Sequence, residues 1–155
     1  YKRQNDPVID FDRVTEGNVE FFMRTFYEAF KDSPDRLVAM LFQKTETATL
    51  EIMASMKEFF TRPDHYTYII KYHGEPAGIL ATGKTLFNAI GLLPQYRGRG
   101  IGRQSMLFAL SELRQRGQKI ISLRVDVRNI PAIRLYKRLG FKVVEHKIRL
   151  FKPLE

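Results

Sequence analysis

One glycine-rich stretch constrains this chain more than any other feature. It runs from Gln95 to Gly102 with the sequence QYRGRGIG, between an apolar run and a helical pattern that begins at Ile101. Glycine has no Cβ atom and accepts positive φ, so successive N–H groups can face one concavity and a ligand can approach them closely. The first-turn amides of the following helix lack intrahelical acceptors and lie at the positive end of its dipole. The stretch therefore predicts an anion-binding loop suited to a phosphate.

The residues around the loop weigh against a plain surface turn. Arg97, Arg99 and Arg103 are expected to add mobile positive charge around the concavity. A glycine-rich turn with solvated arginines is the structural alternative. Alternate glycines between a strand and a helix favour the anion site over that alternative.

Two other phosphate motifs fit the sequence less well. The dinucleotide fingerprint needs a glycine three residues after its second one, and Arg103 occupies that position. Gly78 to Thr85 (GILATGKT) satisfies the P-loop pattern. Its centre is an apolar, strand-like run, however, and a helix after it would soon meet Pro94. We therefore expect a strand there and no nucleotide loop.

Composition limits the class of protein. The 155 residues suit a single domain, 1–155, in which 1–7 form a tail or linker. A net charge of +9 predicts an anionic partner. Cysteine is absent, which excludes disulfides, thiolate metal sites and a cysteine nucleophile. The three histidines lack metal-ligand spacing, so we expect no metal.

The sequence contains no sign of a membrane segment. No apolar run approaches the length of a membrane span, and Tyr1 to Pro7 is too polar for a signal peptide. We therefore expect a cytoplasmic protein without a membrane partner.

Periodicity and turn residues predict a mixed α/β sheet with helices on both faces. The predicted helices are 19–31, 35–42, 49–60, 101–116 and 131–139. The predicted strands are 8–14, 66–73, 76–84, 86–93 and 119–127, followed by a strand pair or one bent strand over 141–151. Residues 66–84 form a hairpin, and 86–127 form a βαβ unit with two parallel strands.

Two motifs resemble those of the GCN5-related N-acetyltransferase (GNAT) superfamily. Leu92 to Gly102 (LLPQYRGRGIG) resembles its acyl-CoA pyrophosphate motif, and Asn129 to Phe141 (NIPAIRLYKRLGF) resembles its second motif. The resemblance covers residues 86–145, whereas residues 1–80 match only in the order of elements. Two motifs in the right order are more specific than either alone.

The resemblance implies an α/β fold with a mixed, partly antiparallel central sheet, helices on both faces and a splayed parallel strand pair. It also implies an acetyl-CoA-dependent N-acetyltransferase that acts on a primary amine of a small molecule, protein or peptide. A non-catalytic acyl-CoA-binding regulatory module is the alternative. Charge alone would suggest nucleic acid, but much of the excess lies in the half that would bind CoA, so we do not expect nucleic acid. A homodimer stays open.

The resemblance also assigns roles to residues. The CoA diphosphate would lie on the amides of Arg97 to Gly102. The pantetheine arm would run along the strand that ends at Leu93, where an N–H of Leu92 or Leu93 would polarise the thioester carbonyl. Asn129 would bind the pantetheine, and Tyr136 would protonate the CoA thiolate. The structural alternatives are a helix N-cap for Asn129 and a packed aromatic for Tyr136. The implied cofactor-binding set is Leu92, Leu93, Gln95, Arg97, Gly98, Arg99, Gly100, Ile101, Gly102, Arg103 and Asn129.

One departure from the family pattern concerns the general base. Many members carry a carboxylate on the strand before the loop, but Leu86 to Leu93 (LFNAIGLL) contains none. Asn88 could hold a water there but cannot take a proton at neutral pH. The sequence leaves the base unassigned among Glu28, Asp35, His73, Glu75 and Glu145, each of which has a solvated or structural role as its simpler explanation. Since no cysteine or activated serine is present, the simplest mechanism is direct attack by an amine.

Overall fold

The computed structural model describes residues 8–34, 45–83, 86–148 and 152, with the backbone alone at 86–88. Within these residues the sheet has five strands in the order β1-β2-β3-β4-β5. The strands are β1 Ile9–Arg13, β2 Tyr66–Tyr72, β3 Glu75–Thr82, β4 Leu86–Leu92 and β5 Ser122–Leu123. The helices are α1 Val19–Phe30, α2 Glu46–Ser55, α3 Lys57–Thr61, α4 Ile101–Gln115 and α5 Ile130–Arg138.

The sheet changes direction at its last strand. Strands β1 to β4 pair antiparallel with their neighbours, and β5 is parallel to β4. In the described part of the chain, β5 meets β4 only at the pairs Leu86–Ser122 and Phe87–Leu123, although β4 continues to Leu92. The far half of β4 therefore has an open edge, and the predicted mixed sheet with a splayed parallel pair is confirmed.

Helices cover both faces of the sheet, as predicted. Alternate residues of a strand point to opposite faces. Ile69 and Ile79 pack with α1, α2 and α3, whereas Tyr68, Ile70 and Leu80 pack with α4 and α5. The sheet thus separates two apolar cores, and its central strands are buried on both sides.

Helix α1 lies directly on the end of β4. Its buried stripe includes Phe22, Phe26 and Phe30, at the spacing of one helical face. The Phe30 ring occupies the space where a side chain at position 91 would lie, because a Cβ atom on Gly91 would come 2.3 Å from a carbon of that ring. Glycine at 91 is therefore what lets the last turn of α1 reach the sheet.

The two helices of the resembling motifs begin and end close to the predicted residues. Helix α4 follows Gly100, buries Ile101, Met106, Ala109 and Leu113, and ends just before Gly117. In α5, the Asn129 side chain caps the first turn by accepting a hydrogen bond from Ala132 N at 3.3 Å.

Two strand predictions need correction. The predicted strand 119–127 is reduced to Ser122–Leu123, and residues 141–148 contain no strand. Val143, Val144 and Ile148 are exposed. Their β-branched side chains suit a strand locally, but a strand also needs a partner backbone, and propensity does not supply one.

The helix predicted over 49–60 is also different in detail. It begins earlier, at Glu46, where Thr45 Oγ1 accepts a hydrogen bond from Ala48 N at 3.3 Å, and it is divided at Met56. The helix predicted over 35–42 lies outside the described residues, as do positions 84 and 149–151 of the predicted strands.

Candidate functional site

The glycine loop joins the end of β4 to the start of α4. After Leu92 the chain makes a 3₁₀ turn over Pro94–Tyr96, and Gly98 and Gly100 then take φ values of 73° and 78°. Side chains with a Cβ atom rarely adopt such angles, so the path of the loop requires glycine at both positions.

The loop amides face a region where an anion could bind. The first hydrogen bond of α4 runs from Gln104 N to Gly100 O at 3.1 Å. The amides of Ile101, Gly102 and Arg103 precede it and have no acceptor within the helix. Gly98, Arg99 and Gly100 are exposed to solvent. Several N–H groups are therefore available at the positive end of the α4 dipole.

The three loop arginines are not equivalent. The Arg99 guanidinium lies 5.9 Å from the centre of the Tyr96 ring, and Arg103 is exposed. Arg97 instead donates from Nε to Leu92 O at 3.1 Å and from Nη2 to Ala29 O at 2.9 Å. Its own amide donates to Pro94 O at 3.3 Å. The expectation of a mobile positive charge therefore fails for Arg97, whose side chain is bonded to the protein.

Leu92 and Leu93 direct their amides to opposite sides of β4. Leu93 N donates to Ala77 O of the neighbouring strand at 2.8 Å. Because hydrogen-bonding direction alternates along an antiparallel strand, the N–H and C=O of Leu92 point away from β3, toward the open edge. Of the two amides named from the sequence, only that of Leu92 is directed to this edge.

Helix α5 brings Tyr136 close to the loop helix. A Cβ atom on Gly102 would lie 3.8 Å from Leu135 Cδ2 and 3.9 Å from Leu92 Cδ1, so α5, α4 and β4 converge there. Tyr136 is 9% exposed and belongs to the same apolar core as Ile101 and Leu92. Both structural alternatives are therefore present, with Asn129 as a cap and Tyr136 as a packed aromatic, and their ligand contacts stay predictions.

The candidates for the general base are dispersed. Glu28 forms an ion pair with Lys31 at 2.7 Å, and this hydrogen bond raises the pKa of Lys31 above its ordinary value. Glu145 pairs with Lys147 at 3.0 Å, and Glu75 is exposed at the start of β3.

The remaining candidates add no cluster. His73 lies in the turn between β2 and β3, and Asp35 is outside the described residues. Within the described ranges, no group of three or more His, Asp or Glu side chains could hold a metal ion. The base stays unassigned.

The first five residues of the P-loop-like stretch form a strand, as predicted. Residues 78–82 belong to β3, where Ile79 pairs with Ile69 on one side and with Gly91 on the other. A backbone hydrogen-bonded to two neighbours cannot wrap around a phosphate.

A sequence model of the acetyltransferase (GNAT) family matches residues 18–141. The chain belongs to the GNAT family. This match extends from the start of α1 to just beyond α5, so it includes residues 18–80, which resembled the family only in element order. The predicted family is confirmed.

Curated relatives are longer than this chain. A mycothiol acetyltransferase of Thermobifida fusca is 31% identical over 138 residues, which cover 82% of this chain and 41% of that protein. An uncharacterised N-acetyltransferase of Methanocaldococcus jannaschii is 27% identical over 155 residues, which cover 91% of this chain and 65% of that protein. The chain thus spans less than two thirds of the length of either relative.

Solved structures share the fold. A transcriptional regulator from Bacillus halodurans superposes with a TM-score of 0.71 at 20% identity, covering 95% of this chain and all of that one. An aminoglycoside N-acetyltransferase, AAC(6')-Iy, in complex with CoA superposes with a TM-score of 0.66 at 14% identity, covering 98% of this chain and 99% of that one. These likenesses confirm the predicted α/β fold.

Three expectations about the whole protein stay predictions: the single domain, the cytoplasmic location and the homodimer. The helices of the described residues include none that is long and apolar enough to cross a membrane.

Proposed function

We propose that the protein binds acetyl-CoA at the glycine loop and transfers the acetyl group to a primary amine. One observation carries this proposal: a row of amides without intrahelical acceptors at the start of α4 lies beside the open edge of β4. A phosphate-bearing ligand with an extended, amide-containing arm matches that arrangement, because its phosphates suit the amides and its arm can pair with the strand edge.

The diphosphate would lie against the amides from Gly98 to Arg103. Arg99 and Arg103 are exposed and carry positive charge close to that position, and Gln95 is exposed in the turn before it. The pantetheine arm would run along β4 beyond the last β5 pair, and the side-chain amide of Asn129 would contact it. Acetyl-CoA supplies the activated acyl group as a thioester.

The Leu92 amide is suited to stabilise charge on the thioester oxygen. Its N–H is directed to the open edge, and a positioned backbone donor favours a developing oxyanion. The amine nitrogen forms a bond to the carbonyl carbon, the carbon–sulfur bond breaks, and Tyr136 Oη donates its proton to the sulfur. The proton lost by the amine passes to water or to a base that is still unassigned. Support for Tyr136 comes from its place in the core shared with Ile101 and Leu92.

A nitrogen acceptor is supported by the names of two similar proteins. The Methanocaldococcus jannaschii relative and the aminoglycoside enzyme are both called N-acetyltransferases. The particular acceptors of those proteins are not carried over to this chain, and only attack by an amine is. An amine of a small molecule and an amino group of a protein or peptide both meet that requirement.

A regulatory module that binds acyl-CoA without catalysis is the second candidate. The observation that favours it is the missing carboxylate in the strand from Leu86 to Leu93. Retention of a tyrosine at 136 opposes it, since binding alone does not need a proton donor.

Release of free thiol from acetyl-CoA, measured across a panel of amines, tests the proposal. The panel should include amino sugars, polyamines, amino acids and lysine-containing peptides, with thermal shift by CoA measured in parallel. Thiol release that depends on one class of amine, together with an acetylated product seen by mass spectrometry, is the expected result. Stabilisation by CoA without thiol release from any amine would favour the regulatory module, and no stabilisation by CoA would contradict both candidates.

A further inference from the structure

We propose that Arg97 is a positioning residue. It joins the end of α1 to the end of β4 and thereby fixes the peptide between Leu92 and Leu93 at the open strand edge. This bridge between α1 and β4 is a feature of the fold, whereas its consequence for acetyl transfer rests on the proposed function. The sequence had suggested instead that this side chain belongs to the phosphate-binding charge.

The Arg97 guanidinium joins two distant elements. Nε donates to Leu92 O at 3.1 Å, and Nη2 donates to Ala29 O at 2.9 Å across 68 positions of sequence. A guanidinium presents its N–H groups in a rigid planar fork, so one side chain can hold two carbonyls at a fixed separation. Both of these donors are engaged with the protein, which leaves Arg97 less suited than its neighbours to follow a mobile phosphate.

The contact on α1 is one that a helix end needs. The last carbonyls of a helix lack intrahelical donors. Tyr27 O accepts from Lys31 N and Phe30 O accepts from Ser33 N, both at 2.9 Å, and Ala29 O between them accepts from Arg97. A cation at the carbonyl end of a helix is also favoured by the dipole.

The contact on β4 completes the fixing of one peptide group. The peptide between Leu92 and Leu93 carries the Leu92 carbonyl and the Leu93 N–H. Its N–H is held by Ala77 O at 2.8 Å, and its carbonyl is held by Arg97 Nε at 3.1 Å. Both ends of this plane are therefore held. The Leu92 N–H that would meet the thioester oxygen belongs to the preceding peptide, whose Gly91 pairs with Ile79 of β3. The two peptides share the Leu92 Cα atom, so the Arg97 contact holds the far side of the residue that carries this N–H.

Arg99 provides the matched comparison within the loop. It is exposed, and its guanidinium lies over the Tyr96 ring at 5.9 Å. Both arginines carry the same charge close to the same glycines. A role in phosphate binding would therefore affect both in similar ways, whereas a bridging role would separate them.

The test uses Arg97→Met, Arg97→Lys and Arg99→Met with two acyl donors, acetyl-CoA and S-acetylpantetheine, which lacks the diphosphate. For both Arg97 variants we expect kcat to fall about tenfold or more with acetyl-CoA, since small displacements of catalytic groups are costly. The affinity for CoA should change less than about threefold, because the loop amides remain. Lysine keeps the charge but lacks the fork, so it should not restore activity.

S-acetylpantetheine, the acyl donor without a diphosphate, distinguishes a positioning role from a role in phosphate binding. Arg97→Met should lower kcat/KM for S-acetylpantetheine by the same factor as for acetyl-CoA, whereas Arg99→Met should affect only acetyl-CoA, through KM. Two results would overturn the positioning role. One is normal activity in Arg97→Lys, and the other is a defect of Arg97→Met that is limited to acetyl-CoA and lessened by salt.

Hydrogen exchange tests the bridge independently of activity. In Arg97→Met, amide exchange should accelerate in peptides covering residues 27–33 and 92–96, relative to both the original protein and Arg99→Met. Equal protection in all three proteins would overturn the bridge. If the original protein transfers acetyl to no amine, the proposed function fails, and the exchange result alone decides whether Arg97 joins α1 to β4.

Discussion

Replacement of Gly100 by valine offers the sharpest test of the proposed anion-binding loop. Gly100 has a φ of 78° and immediately precedes α4. A Cβ atom there would meet no heavy atom within 4 Å, so a side chain at this position is opposed by backbone strain and not by a collision of its Cβ atom. Valine relieves that strain by moving φ to negative values, which turns the peptide that leads into the first helical turn.

The loss of affinity can be sized from the amides. A hydrogen bond to a charged group contributes about 1.5–3 kcal/mol, and each ~1.4 kcal/mol is a factor of ten in affinity. Loss of a single amide–phosphate bond should therefore weaken acetyl-CoA binding roughly 10- to 150-fold. Strain in a left-handed conformation costs about 1–3 kcal/mol of stability, a fall in Tm of roughly 2–12 °C for a chain of this size.

Gly117 at the other end of the same helix supplies the control. Its φ is 83°, and a Cβ atom on it would also meet nothing within 4 Å. Gly117→Val should lose a similar amount of stability while its affinity for acetyl-CoA, measured by calorimetry on folded protein, stays unchanged. Equal affinities for acetyl-CoA in the two variants would refute the assignment of the loop.

Other predictions follow from single contacts. Tyr136→Phe should lower kcat by a factor of about 10² to 10⁴ with little change in acetyl-CoA affinity, and full turnover with a proven acceptor would deny the hydroxyl a chemical role. ATP with Mg²⁺ should not raise Tm, whereas CoA should, because the P-loop-like stretch lies in a paired strand. Gly91→Ala should lower the free energy of unfolding by about 1–3 kcal/mol, measured by thermal unfolding, since its methyl group would meet the Phe30 ring. Gly17→Ala is the control and should be tolerated, because its Cβ atom would lie 3.6 Å from the nearest atom, Thr15 Oγ1.

Local signals explain why much of the second half could be predicted. The periodicity of α4 and α5, their glycine ends and the capping by Asn129 depend on residues a few positions apart. The hairpin of β2 and β3 is similarly local, with His73 and Gly74 at positive φ in its turn. The glycine loop is local as well, because the positive φ of Gly98 and Gly100 follows from the residues themselves.

Long-range pairing explains the failures. Ile120 and Val127 fit a strand by composition, yet they are 80% and 65% exposed, and within the described part of the chain only Ser122 and Leu123 pair with β4. Composition reports how well a residue suits a pleated surface and does not report whether a neighbouring backbone is present. The shortness of β5 is also what leaves the edge of β4 open, so the residues predicted least well border the candidate site.

Arg97 illustrates the same limit in the site itself. From the sequence it is one of three arginines beside glycines, and charge alone assigns all three to an anion. Its carbonyl partner Ala29 lies 68 positions away, on a helix that is brought to β4 by the fit of Phe30 over Gly91. No local pattern distinguishes an arginine that binds a ligand from one that holds the ligand's donor in place. The distinction depends on which carbonyls the fold brings within reach, and so the loop could be predicted from its own residues while the support of the amide proposed for catalysis could not.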